Sequence, residues 1–349
     1  MSDPDVAGDA AGAPVATARF GPRPVLRRLA AAAGSRWVRW GFLAAVVGAG
    51  GYAIASEWKA VVTALTGIGP AATLGAAVTV ILGLLATLQV WRVLLAGLGS
   101  PLPPATAARI FFVGQLGKYL PGSMWPVLAQ MELARASSVP RSRTATAAVL
   151  TIAISLGAGL LTGLAALPLL GDGYLWVLLA APLCVAMLHP RVVNAVIAVL
   201  LRVTRRPPLP RPLPGRAIAA ALLWALLSWL LLGAHVWFLG LPLAGDTTGL
   251  AMASIGGFAL AWSAGFLVVL APAGAGVREV LLIAALSTQL DTAQAAAVAV
   301  VSRALMSAAD LALAGAAAVT TRASTRGPAP QPRPEPEQPL PVAGDDGGS

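Results

Sequence analysis

Residues 71–91 read AATLGAAVTVILGLLATLQVW, without an Asp, Glu, Lys or Arg anywhere between them. An α-helix rises about 1.5 Å per residue, so about 20 apolar residues cross a hydrocarbon core of roughly 30 Å. This stretch predicts a transmembrane helix, and Arg92 closes it at one end. Comparable apolar segments lie near 41–56, 144–170, 174–189, 217–240 and 293–320, with 41–56 and 174–189 the short ones. Hydrophobic residues make up 57% of the 349 positions and charged residues 11%. A soluble domain needs roughly 25% charged residues to cover its surface, so the composition belongs to the bilayer class. The expected fold is an all-α integral membrane protein with about six spans.

Two further stretches, 105–137 and 250–288, are long enough to span but are interrupted by Pro and Gly. The first contains Gly117-Lys118-Tyr119-Leu120-Pro121-Gly122, and the second contains Ala271-Pro272-Ala273-Gly274-Ala275-Gly276. Arginine placement suggests how they run, because short cytoplasmic loops collect Lys and Arg. Arg109 flanks the first stretch on one side and Arg135, Arg141 and Arg143 flank it on the other. A re-entrant hairpin from the cytoplasm therefore fits better than a full crossing. A second hairpin dipping in from outside, over 250–288, keeps Arg322 and Arg326 inside. The result is six spans and two re-entrant hairpins of opposite orientation, arranged as an inverted repeat with both termini cytoplasmic. Thr144-Ala145-Thr146-Ala147-Ala148 and Thr292-Ala293-Gln294-Ala295-Ala296, each following a broken element, support the repeat weakly.

Residues 1–36 form a basic leader expected to be disordered, 37–321 the membrane domain, and 322–349 a disordered Pro-rich tail. The net charge of +10 comes with arginines placed beside apolar segments and no aromatic-basic module, so it points to anionic lipid and away from nucleic acid. Cys184 is the single cysteine, and His189 and His235 lie far apart, so neither a disulfide nor a metal centre is expected. No cofactor is expected. Gly114 to Lys118 lacks the Ser/Thr and the strand of a phosphate loop, and Gly274-Ala275-Gly276 lacks the third glycine of a dinucleotide fingerprint. No catalytic set emerges.

Irregular backbone inside a bilayer needs protein or a water-filled cavity to satisfy it, so both breaks predict a cavity. A half-helix beginning near Ser123 and another near Val277 would present unpaired N–H groups to an anion. Lys118 and Arg278 add full positive charges beside them, although simple kinks and a snorkelling Lys118 remain open. Glu279, three residues after Gly276, reads as a helix cap. Arg303 and Asp310, seven residues apart, share one helical face, and Arg303 pairing with Glu279 or Asp310 competes with a transport role. His235, like Trp224, Trp229 and Trp237, reads as packing or an interfacial anchor, and Gly159 with Gly163 makes only a weak GxxxG signal.

Gly114-Gln115-Leu116-Gly117-Lys118-Tyr119-Leu120-Pro121-Gly122-Ser123-Met124-Trp125 resembles the first signature of the lysylphosphatidylglycerol synthase transmembrane family. This is the flippase-like part of bacterial multiple-peptide-resistance proteins. Pro272-Ala273-Gly274-Ala275-Gly276-Val277-Arg278-Glu279 is similar to its second signature. The resemblance covers about 40–320 and implies movement of a phospholipid between leaflets of the cytoplasmic membrane, along a path lined by the two broken elements. The implied partners are a membrane phospholipid or a polyprenyl-phosphate-linked lipid. Synthase members add a soluble aminoacyl-transferase domain, but here a short Pro-rich stretch follows Val319, so aminoacyl transfer is not expected. No ATP site is visible, so movement would be passive, ion-coupled or partner-driven. The alternative is a non-transporting subunit holding a lipid-modifying or envelope-synthesis partner protein.

Overall fold

A computed structural model describes residues 58–119, 124–164, 189–203, 212–267 and 276–324, together with the single residues 166, 182 and 186. All regular structure among them is helical. In chain order the helices are α1 (Trp58–Ile68), α2 (Pro70–Gly97), α3 (Pro104–Gln115), a 3₁₀ turn (Leu116–Tyr119) and α4 (Trp125–Arg135). They continue with α5 (Arg141–Gly163), α6 (Pro190–Val203), α7 (Gly215–Gly240), α8 (Thr247–Leu267), α9 (Val277–Leu286) and α10 (Thr292–Ser324). Five of these, α2, α5, α7, α8 and α10, are long and apolar enough to cross a membrane. The expected span 41–56, nearly all of 174–189, the leader 1–36 and the tail beyond Ser324 lie outside the described residues.

Local sequence sets the helix ends. Pro70 opens α2, where a missing N–H costs nothing. At its far end Gly99 adopts φ 82°, its N–H donates to Ala96 O, and Ser100 N–H donates to Leu95 O. That left-handed glycine and crossed pair of bonds form a Schellman stop, followed by Pro101 and Pro103. Arg143, from the first turn of α5, donates to Gly99 O at 2.9 Å and to the Ser100 hydroxyl at 3.0 Å, tying the end of α2 to the start of α5.

Without a hydrophobic force between lipid-bathed helices, close approach over small residues and polar contacts hold them together. A Cβ on Gly75 would meet Phe238, one on Gly83 would stand 2.7 Å from Leu232 Cγ, and one on Gly97 would meet Leu213. Residue numbers rise on α2 as they fall on α7, so the pair is antiparallel. Thr87 and Ser228 hydroxyls meet at 2.7 Å across it. Gly159 and Gly163 have a structural use after all, since Gly159 lies against Ser263 and Trp229, and Gly163 against Leu260. They set α5 antiparallel to α8.

Both broken stretches reverse direction. Gly114 packs on Gln130, and a Cβ on Gly117 would stand 2.8 Å from the carbonyl carbon of Trp125. Thus α3 with its 3₁₀ turn and α4 are short limbs laid back on each other. In the second stretch Gly249 lies against Gln289 and Gly257 against Ala285, so α9 runs back along α8. The limbs there are unequal. With 21 residues, α8 is about 32 Å long, a length comparable to a bilayer's hydrocarbon core, whereas α9, with 10, is about 15 Å. The sequence reading treated 250–288 as one Pro/Gly-broken hairpin. The asymmetry arises because Pro and Gly cluster only at 271–276, leaving the earlier residues free of charge and proline.

The two reversals have their bases at opposite ends of the bundle. Gln289, beyond α9, lies beside Gly249 near the start of α8. The base of the first reversal leads through Arg141 into α5, whose later residues pass Ser263 and then Leu260. The start of α5 is therefore beyond the other end of α8. At that end Glu132 accepts from Arg135 at 3.0 Å and Arg141 at 2.5 Å. Partial burial opposes ionisation of Glu132, but the hydrogen bonds and charges of Arg141 and Arg135 outweigh it and hold the carboxyl below the usual range.

Candidate functional site

The tips of both reversals meet on one face of α10. Lys118 Nζ lies 2.5 Å from Asp310 Oδ2, and the Tyr119 hydroxyl donates to the same oxygen at 2.8 Å. Two turns earlier, Arg303 Nη1 donates to Glu279 Oε1 at 2.7 Å. The seven-residue spacing of Arg303 and Asp310 thus sets one ion pair on each reversal. The sequence left Arg303 a choice of carboxylate; it takes Glu279, and Asp310 goes to Lys118.

Glu279 does two jobs. Its Oε2 accepts the Gly276 N–H at 2.6 Å while Oε1 holds Arg303. Gly276 sits at φ 89°, a left-handed conformation that glycine tolerates and that starts α9 immediately after the break. One of the N–H groups expected to face an anion at this helix start is thus taken by the chain's own carboxylate.

Arg278 is different. It is only 8% exposed, and its guanidinium carbon lies 4.9 Å from the centre of the Phe258 ring on α8. Among the described residues it has no carboxylate partner. Isolated charges are rarely buried, because desolvation costs several kcal/mol unless an anion or dipoles compensate. Phe258 supplies a cation–π contact to the guanidinium. The Phe258 ring also packs edge-on against His235, 4.9 Å away at 90°. The His235 imidazole lies between the Leu232 carbonyl at Nδ1 and the Ser302 hydroxyl at Nε2. A carbonyl can only accept, so Nδ1 carries the proton, and the fully buried ring takes the packing role of the two that the sequence left open.

Lys118, Tyr119, Arg278, Glu279, Arg303, Met306, Ser307 and Asp310 line a cavity of about 20 Å³, room for about one water molecule. The charged groups are three cations and two carboxylates, an excess of one positive charge. Of the residues expected at the site, Lys118, Tyr119, Arg278, Glu279, Arg303 and Asp310 come together, with Gly276 at their edge. Trp125 opens α4 on an exposed surface and does not line the cavity. Pro121, Gly122, Ser123, Pro272 and Gly274 lie outside the described residues. Met306 and Ser307 were missed, although they fall three and four residues after Arg303 on the same helical face. Phe258 was missed because nothing local in α8 announces its distant guanidinium. Among the described residues no group of three or more His, Cys, Asp or Glu side chains could hold a metal ion.

Span-length apolar helices around a buried ionic site define a multi-pass membrane protein. The chain belongs to the lysylphosphatidylglycerol synthase TM region family, whose sequence profile matches residues 17–314. Membership gives it a membrane-embedded, lipid-related role, and the match is to the transmembrane region of that family. No curated protein matches the chain.

Proposed function

We propose that the protein moves a phosphate-bearing lipid between the leaflets of the cytoplasmic membrane, with the headgroup passing the cavity on α10. The observation that carries this reading is Arg278, a buried guanidinium that lines the cavity and has no carboxylate partner among the described residues. The sequence reading gave Lys118 and Arg278 equal parts in holding the headgroup. The geometry supports different ones: Arg278 engages the phosphate, and Lys118, with its side chain 29% exposed and paired to Asp310, forms part of the rim that must open. A cavity the size of a water molecule corresponds to a closed state, and the two ion pairs are the contacts that separate on opening.

Charge distribution supports an orientation with the first reversal entering from the cytoplasm. Arg135, Arg141 and Arg143 gather at its base, and Arg216 stands where Gly97 meets Leu213 at the same end. The opposite end carries Asp246 and Asp291, with no Lys or Arg in 241–249 or 287–292.

The test is reconstitution into vesicles containing headgroup-labelled phosphatidylglycerol. Wild-type protein should speed the loss of leaflet asymmetry over empty vesicles, and Arg278→Gln should slow that rate by about tenfold or more, as expected when a charge-assisted hydrogen bond worth roughly 1.5–3 kcal/mol is removed. Equal rates for wild type, variant and empty vesicles across anionic lipids would overturn the reading and favour a non-transporting subunit.

A further inference from the structure

We infer that α6 is an interfacial helix that lies in the plane of the membrane at the arginine-rich end of the bundle. Its valine stripe rests among acyl chains, and Arg191 and Arg202 meet the phosphates of an anionic leaflet. This contact needs only the membrane class and stands whether or not the protein moves lipid.

With 14 residues, α6 is about 21 Å long, short of the roughly 30 Å hydrocarbon core. Its start is fixed locally. The His189 carbonyl accepts the Val193 N–H at 3.0 Å, and His189 Nδ1 accepts the Arg191 N–H at 3.2 Å. Asn194 then clips the helix to the approach to α7. Its Oδ1 accepts the Leu213 N–H at 2.8 Å, and its Nδ2 donates to the Leu213 carbonyl at 3.1 Å. Gly97 packs on this same Leu213, so α6 is held at the end where Arg143 ties α2 to α5.

At about 100° per residue, the helix divides into three sectors. Val193, Ile197 and Leu201 share one and are buried. Val192, Val196 and Val199 share the next, with Val196 47% and Val199 58% exposed, and together with Ala195 they line an open apolar groove. Arg191 and Arg202, three turns apart, are both exposed on the third sector. An outward apolar stripe beside a basic one fits the boundary between acyl chains and headgroups. Among the described residues neither arginine has an ion pair. From Gly173 to Gly245 the chain carries six arginines and no Asp or Glu, so the complementary charge is supplied by lipid phosphates. A second copy of the chain fits less well. A two-fold contact sets one patch on itself, and it would bring these arginines together with no acid in the segment to separate them.

The experiment uses the full chain in nanodiscs of equal parts phosphatidylcholine and phosphatidylglycerol. Val192→Cys, Val196→Cys, Val199→Cys and, on the arginine sector, Ala198→Cys are made singly in a Cys184→Ser background and labelled with a fluorophore. The quenchers are aqueous iodide and lipids spin-labelled near the headgroup or near the chain end. The three valine positions should be quenched by the shallow lipid label, shielded from iodide and equal in depth, whereas iodide should reach Ala198→Cys. A helix crossing the membrane would instead change depth by about 10 Å between Val192 and Val199. The shallow label on phosphatidylglycerol should quench Val196→Cys at least about threefold more than the same label on phosphatidylcholine. Adding Arg191→Gln and Arg202→Gln should abolish that preference and leave the depth unchanged. Salt should erode the preference with both arginines in place, which serves if the double variant does not fold.

Iodide quenching at Val196→Cys and Val199→Cys would put the stripe in water, and a steady change of depth would make α6 part of a span. Equal quenching by the two lipids would remove the charge contact. Positions that neither quencher reaches, and that form disulfides between copies, would make this face a dimer contact. Each of these results would overturn the interfacial assignment.

Discussion

Glu279 shows how much one side chain at a chain break can hold. Its two oxygens bridge the start of α9 and Arg303 on α10, so the cap and the ion pair are properties of one carboxylate. Glu279→Gln keeps an acceptor for Gly276 N–H and loses the charge, while Glu279→Ala loses both. Thermal unfolding in detergent should rank wild type above Glu279→Gln and Glu279→Gln above Glu279→Ala, the last step reflecting a cap worth about 1 kcal/mol. Identical midpoints for the two variants would mean that the cap contributes nothing. The capping role was legible from three-residue spacing, because capping is local. Which carboxylate pairs with Lys118 was not, since Lys118 and Asp310 lie on segments that only tertiary packing brings together.

At the scale of elements, the first reversal depends on contact between its limbs. Gly117 admits the Trp125–Pro126 backbone where any Cβ would collide, and Gly114 does the same for Gln130. Gly117→Val should cost about 1–3 kcal/mol, the range for overpacking, and should lower the unfolding midpoint. Gly315→Val on α10, where a Cβ meets nothing within 4 Å, is the matched control and should leave the midpoint near wild type. Equal losses in both variants would show that helix propensity, not limb packing, sets the effect. The Pro-Gly clusters marked a break in each stretch but left a simple kink open, and it was arginine placement that suggested the chain doubles back. The length of α8 was obscured because the reading weighed 250–288 as a unit, while the break is confined to its middle. The glycine pair at 159 and 163 was undervalued for a different reason. In a chain with 37 glycines, spacing alone does not reveal which ones face a neighbouring helix.

Across the whole molecule, α10 joins the parts. The chain reaches it from the second reversal through Asp291, and along its face Arg303 meets that reversal while Asp310 meets the tip of the first. Arginines gather at one end of the bundle and Asp246 and Asp291 at the other. Hydropathy made the membrane class legible, because it records the two solvents the chain must satisfy. The meeting of two ion pairs on one helix was only partly legible, through the seven-residue spacing of Arg303 and Asp310. That Arg278 has no carboxylate partner among the described residues was hidden, because it depends on which carboxylates the other cations take.

Reversals based at opposite ends of the bundle are the frame on which the proposed headgroup site depends. They are tested most directly by placing single cysteines at Ala136 and at Asp291, in a Cys184→Ser background, and labelling intact cells with an impermeant thiol reagent. Asp291→Cys should label in intact cells, whereas Ala136→Cys should label only after lysis. Labelling of both positions from the same side would contradict the opposed arrangement and remove the route by which a headgroup could pass from one reversal to the other.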